Sequence, residues 1–411
     1  MRDAAGPSRA PSDIEPVMEL NPFAHEFHED PYPTYRWLRD NAPLYRNEAL
    51  DFYALSRYRD VLDASHDWQT YSSAEGTTVE RLDPAMFEQI PMMIFLDPPR
   101  HDRLRKLVNR VFTLRRVAGL EPFIRTTVTR LLDPLVAQGG GDFVKEVSAP
   151  LPMEVIFTML GVRDEDRREL REWMDLALER DRDTPVVPER ALRAMGNMMQ
   201  YFFTLLDDLR RAPNDGLVSA LLEAEVETDD GRTTRLSDGE IVGFCSLLGS
   251  AGNETVTKLL GNACVLLGRH RDQYARLCAD PGTIPGAVEE VLRYTSPSQY
   301  QGRVTTRDVE WYGKRVPRGS RILLLTASAN RDEREFPDPD RFDIGRPVPI
   351  ALGFGQGIHF CLGASLARLE SRVALEEFSR RFPRYHVDED RTVRVHMSNV
   401  HGYESVPFRA P

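Results

Sequence analysis

This chain predicts a mainly α-helical domain with small β-sheets. Apolar residues recur three and four apart over most of its length, strand-like runs are short and scattered, and one helical pattern continues for about thirty residues across the middle. No internal repeat divides the sequence, and the polar stretch 224–235 reads as a turn region. Residues 21–411 are therefore read as one domain behind a loose tail at 1–20. With 411 residues, a core large enough to enclose a cofactor is within reach.

Composition narrows the function. The first twenty residues are rich in Pro, Ala and charge and contain no apolar run, which predicts neither a signal peptide nor a membrane anchor but a cytoplasmic protein. A formal net charge of −11 argues against nucleic acid, which is bound through clustered positive charge. The four cysteines, Cys245, Cys264, Cys278 and Cys361, show no paired framework and are read as reduced thiols.

The elements follow in order. Residues 52–55 read as a strand leading into a helix from Arg57, with Ser56 as the expected N-cap. Residues 97–116 carry Arg100, Arg103, Arg105, Lys106, Arg110, Arg115 and Arg116 against only Asp97 and Asp102, a basic stretch in an acidic chain. Ser237 and Glu240 form a capping box that opens the long helix, expected to reach about His270. Its centre is rich in small residues, and Gly249 and Gly252 require a reason there, either a flat body lying close or helix packing. Glu290 and Arg293 lie three apart on a helix opened near Pro285 and closed before Pro297. Residues 309–317 and 321–325 look like a hairpin.

Residues 354–363 decide the chemistry. Gly355, Gly357 and Gly363 punctuate a loop that delivers Cys361 to the start of an amphipathic helix, where unpaired N–H groups favour an anion and lower a thiol's pKa. His359, two residues before the sulfur, can donate a hydrogen bond nearby. A thiolate haem ligand fits these demands, and a buried structural thiol stays open beside it. Zinc fits poorly, since a closed site takes about four ligands in paired spacings and no second pair exists.

The whole pattern resembles the haem-ligand loop of the cytochrome P450 family, and further motifs follow in the family's order over roughly residues 20–411. The resemblance implies a single-domain cytochrome P450 fold with a long central helix over haem b, and Cys361 as the axial iron ligand. It implies that Phe354, Gly355 and Ala251 lie against the haem and that His101, Arg105, Arg303 and His359 bind its propionates. Residues 251–255 are similar to the distal-helix motif, so Thr255 would hold a water over the haem and Glu254 would connect it to solvent protons. Glu290, Arg293 and Arg341 would form a buried structural network. The pocket would draw on 77–93, including Met92 and Met93, and on 173–203, Leu247, Leu248, Ser298, Tyr300, Ser398 and Val400.

The activity so implied is monooxygenation, the O2-dependent hydroxylation or epoxidation of a hydrophobic terpenoid, steroid, polyketide or fatty-acid type molecule. No flavin or nicotinamide domain is visible, so electrons would come from a ferredoxin or flavodoxin with its reductase, docked on the basic stretch through residues such as Arg103 and Lys106. Two other functions stay open: a peroxide-driven haem-thiolate peroxygenase and a non-enzymatic haem protein that binds ligands.

Overall fold

The computed structural model describes residues 18–178, 187–227, 232–348, 350–397 and 399–411. Most of the tail expected at 1–20, part of the 173–203 wall, and Ser398 lie outside the described residues. In the first half the helices are α1 (His25–Glu29), α2 (Tyr32–Asn41), α3 (Tyr58–His66), α4 (Arg100–Val111), α5 (Leu114–Gly119), α6 (Glu121–Gln138), α7 (Pro150–Leu160) and α8 (Arg167–Leu178). Then come α9 (Glu189–Arg211), α10 (Leu217–Glu223), α11 (Asp238–Arg269), α12 (Arg271–Ala279), α13 (Ile284–Tyr294), α14 (Thr326–Ala329) and α15 (Ala364–Arg381). Strands are few and short. A five-stranded sheet joins β1 (Leu44–Asn47), β2 (Phe52–Leu55), residues 321–324, residues 301–305 and residues 71–72, in that order.

The long helix organises the rest. Ser237 accepts from the Glu240 N–H and Glu240 accepts from the Ser237 N–H, so the expected capping box is formed and α11 runs 32 residues to Arg269. At 1.5 Å per residue that is about 48 Å, enough to cross the domain. It packs against α7, α8 and α9 on one flank and meets α13 and α15 on another. Gly249 and Gly252 owe their small size to these neighbours. A Cβ on Gly249 would stand 2.2 Å from the Met174 side chain, and one on Gly252 would stand 2.8 Å from Ile156. Helix packing is thus one reason for both glycines.

Two local expectations are corrected. The cap of α3 is not Ser56: Arg57 holds the N-cap position without a side-chain bond, and the Tyr58 N–H donates to Asp332, 2.9 Å away, from a segment folded against the helix start. A carboxylate there satisfies one orphan donor and suits the positive helix end. The hairpin is also shorter than expected. Residues 309–311 pair with 314–316 through a turn at Tyr312 and Gly313, both with positive φ, while 321–324 pair with β2 and with 301–305 instead.

Candidate functional site

Cys361 is presented by a loop whose ends are closed on each other. Its N–H donates to the Phe354 carbonyl at 2.9 Å, and α15 begins three residues later with Gly363 as N-cap. Gly355 and Gly357 have φ of 68° and 71°, the left-handed region that disfavours any side chain. At Gly357 a Cβ would also fall 2.3 Å from the Ser65 carbonyl at the end of α3, so the loop is pressed against that helix. The ring of Phe354 lies under the Arg368 guanidinium at 4.5 Å. One expectation reverses here: burial pushes the Cys361 thiol pKa up, outweighing the Gly363 and Ala364 N–H groups and the charges of Arg105 and Arg368. A cation at the sulfur is what would favour the thiolate.

Four polar side chains converge beside this loop. The rings of His101, on α4, and His359 stand edge to face with centroids 4.7 Å apart, and Arg105 donates to the Phe360 carbonyl at 2.9 Å. Arg303, on the sheet, donates only to the neighbouring Gly302 carbonyl, at 2.7 Å. The His359 pKa is pushed down to about 2, first by burial and then by Arg303, His101 and Arg105, and burial lowers Arg303 to about 10. Nε2 of His101 and Nε2 of His359 are buried without any hydrogen-bond partner. Buried imidazole nitrogens without partners, beside two guanidinium groups, cost free energy unless a polar anionic group completes the set. This cradle fits a group bearing two carboxylates, as haem does.

One stripe of the α11 surface is left open. Leu247, Leu248, Ala251 and Thr255 are all incompletely covered although the helix around them is buried. Their spacing places them on one face. The Thr255 hydroxyl donates to the Ala251 carbonyl at 2.9 Å. Glu254 points elsewhere, ion-paired to Lys258 at 3.0 Å, and both line a groove of about 1470 Å³ on another side of the helix. Acid and alcohol therefore sit between an outer groove and the inner face.

Behind the loop lies the Glu290–Arg293 pair, bonded at 2.7 and 2.9 Å and fully enclosed. Its third member is not Arg341. That side chain is 69% exposed, and only its backbone carbonyl enters the network. Arg346 takes the place instead, donating to Glu290 at 3.3 Å and to the carbonyls of Asp338 and Arg341 at 3.0 and 2.9 Å. Packing corrects three other expectations. Tyr300 is wholly buried in the cluster of Phe52, Leu323 and Tyr35, so it does not face the open stripe, and Met93 belongs to the main core. Arg103 turns toward the start of α11, bonded to Glu240, Thr234 and the Arg235 carbonyl, and is unavailable as a docking charge. Met92 remains half-covered, and Val400 forms a bridge with Ser298.

The comparisons with known proteins are consistent with this geometry. The cytochrome P450 family model matches residues 283–400. Cytochrome P450 130 of Mycobacterium tuberculosis is 42% identical over 402 residues, covering 94% of this chain and 98% of that protein. Vitamin D(3) 25-hydroxylase of Pseudonocardia autotrophica is 41% identical over 362 residues, covering 86% of each. Among solved structures, cytochrome P450 CYP109Q5 from Chondromyces apiculatus superposes with a TM-score of 0.86 at 39% identity, covering 95% of this chain and 98% of that one.

Proposed function

The chain belongs to the cytochrome P450 family of haem-thiolate monooxygenases, and from that premise we propose that it hydroxylates or epoxidises an apolar small molecule with electrons from a separate ferredoxin or flavodoxin and its reductase. Its cofactor, haem b, supplies O2 activation when bound, delivering one oxygen atom to the substrate and the other to water. The observation that carries the reading is the pair of orphaned imidazole nitrogens, on His101 and His359, grouped with Arg105 and Arg303 beside the Cys361 loop. These four side chains would hold the two propionates, and Cys361 the iron. Cys245 and Cys264 are unsuited to that role, because both are enclosed in the main core within α11, whereas Cys361 is only partly covered and stands beside Arg105.

Protons would move along α11. Glu254, held by Lys258 at the groove, would take them from solvent. Thr255 spends its own proton on the Ala251 carbonyl, which leaves its oxygen free to accept from a water and so to orient that water's second proton inward. Replacing Thr255 with Ala should therefore keep reductant consumption near normal while diverting most of it to hydrogen peroxide. NAD(P)H oxidation, product and peroxide measured together check this, and unchanged coupling removes Thr255 from the mechanism. Product formed from peroxide alone, with none through a reductase, would replace the ferredoxin reading by the peroxygenase one.

The substrate would lie against Leu247, Leu248 and Met92, an apolar wall suited to a terpenoid, steroid, polyketide or fatty-acid skeleton, with Val400 packed behind it. A relative named for hydroxylating vitamin D(3) supports the sterol-like end of that range. For the electron donor, the charges that fit are Arg115 and Arg116 on α5, beside Leu114, which is 73% exposed. α5 packs on α15, the helix that follows Cys361. Reversing Arg115 and Arg116 to Glu should raise the KM for an acidic ferredoxin about tenfold at low salt and flatten its salt dependence. Steady-state turnover across ionic strength tests this, and an unaltered KM would move the dock elsewhere.

A further inference from the structure

Four histidines, two near each end of the chain, meet at the groove that borders the N-terminal helix. His25 and Glu29 are one turn apart on α1, and His396 comes from the loop between residues 393–394 and 403–405. Nδ1 of His25 lies 3.0 Å from Nδ1 of His396, and the two rings stack with centroids 4.3 Å apart. Oε1 of Glu29 is 3.9 Å from Nε2 of His25 and 3.5 Å from Nε2 of His396. One donor atom from each of the three residues lies within 4.8 Å of the others.

We propose that His25, Glu29 and His396 form a binding site for a divalent transition-metal ion of the zinc class. Two imidazoles and a carboxylate suit such an ion, whereas magnesium and calcium prefer all-oxygen sets. Tetrahedral zinc with bonds near 2.0–2.1 Å separates two ligating nitrogens by about 3.3 Å, close to the 3.0 Å found between the Nδ1 atoms; the exposed Glu29 carboxylate, which here lies nearest the two Nε2 atoms, would rotate to join them. The i, i+4 spacing of His25 and Glu29 delivers two ligands from one helix face. Side chains 66%, 51% and 36% exposed gain little in water from the hydrogen bond or from the His–Glu ion pairs, so a shared cation is the stronger reason for their convergence.

Further imidazoles line the same groove. His401 is 3% exposed and lines the same groove as His25, His28, Glu29 and His396, and neither of its ring nitrogens has a hydrogen-bond partner. His28, also buried, places its ring 5.3 Å from that of His396. The site therefore has imidazoles behind it as well as in it. A bound ion would pin α1 to residues 395–397, and the same loop leads to Val400 and its bridge to Ser298. Metal at this position would stiffen the C-terminal loop from outside the haem site.

The test is calorimetric titration of the chelator-washed holoenzyme with Zn2+, alongside His25→Ala, His396→Ala and a His386→Ala control on an exposed histidine that does not line the groove. The expected result is one saturable site whose affinity falls about tenfold or more in His25→Ala and His396→Ala and stays unchanged in His386→Ala. Thermal unfolding of the same samples should show a Zn2+-dependent rise in Tm for the parent and the His386 control only. Equal Zn2+ affinity in the parent and the two ligand variants, or no saturable binding in the parent, would overturn the proposal.

Discussion

Glu290→Ala is expected to destabilise the fold by about 3–5 kcal/mol and to strip the purified protein of most of its haem. Glu290 and Arg293 are both fully enclosed, and removing the carboxylate strands the Arg293 guanidinium and Arg346 without their counter-charge. The same carboxylate accepts from the Asp343 N–H at 3.0 Å, while Arg293 donates to the carbonyls of Asn330 and Pro339 at 3.0 and 2.9 Å. One substitution thus loosens α13 from the segment 330–346, which leads directly into the cysteine loop. Arg346→Ala should share the effect in part, while Arg341→Ala should stay within about 0.5 kcal/mol of the parent because its side chain is exposed. Urea unfolding with haem content on the four proteins separates these. A large loss for Arg341→Ala and none for Arg346→Ala would show the network wrongly drawn.

His359→Phe should act with opposite signs on the two states of the protein. Without haem, the His359 Nε2 is a buried polar atom without a partner, and its neighbours are cationic. An apolar ring of similar size removes that penalty, of order 1–3 kcal/mol, so the haem-free variant should be as stable as the parent or more so. With haem, the same change would delete the proposed donor to a propionate, and haem transfer to an acceptor protein should be about tenfold faster. Apo-protein unfolding and haem-transfer kinetics measure the two halves. A variant that loses apo stability, with unchanged haem transfer, would place His359 in the fold rather than in the cofactor cradle.

The features legible in the sequence were those written in local spacing. The capping box at Ser237 and Glu240, the helix after Cys361 and the glycine-punctuated loop each depend on residues within a few positions, and each is formed. What depends on the path of a loop was harder to read. Arg346 rather than Arg341 reaches Glu290 because the chain at 337–341 turns its carbonyls inward and leaves the Arg341 side chain outside. Asp332 caps α3 from 274 positions away, a contact that no local pattern can signal. Arg103 looked like a surface charge until the partner across the fold, Glu240, was in view, and that same acid was already committed to the capping box. Tyr300 sits beside strand 301–305, where alternation sends neighbouring side chains to opposite faces, so its position in the pocket order did not fix its direction. A signal for the histidine site was present in the i, i+4 pair His25 and Glu29, but its third ligand lies 371 positions from His25.

The central claim is that Cys361 holds haem iron as a thiolate, and the absorption spectrum of the dithionite-reduced protein with carbon monoxide tests it most directly. The parent should show a strongly red-shifted Soret band, and Cys361→Ser should lose that band while its far-ultraviolet circular dichroism stays helical. A histidine-like Soret band in the parent, or the same red-shifted band in folded Cys361→Ser, would contradict the account.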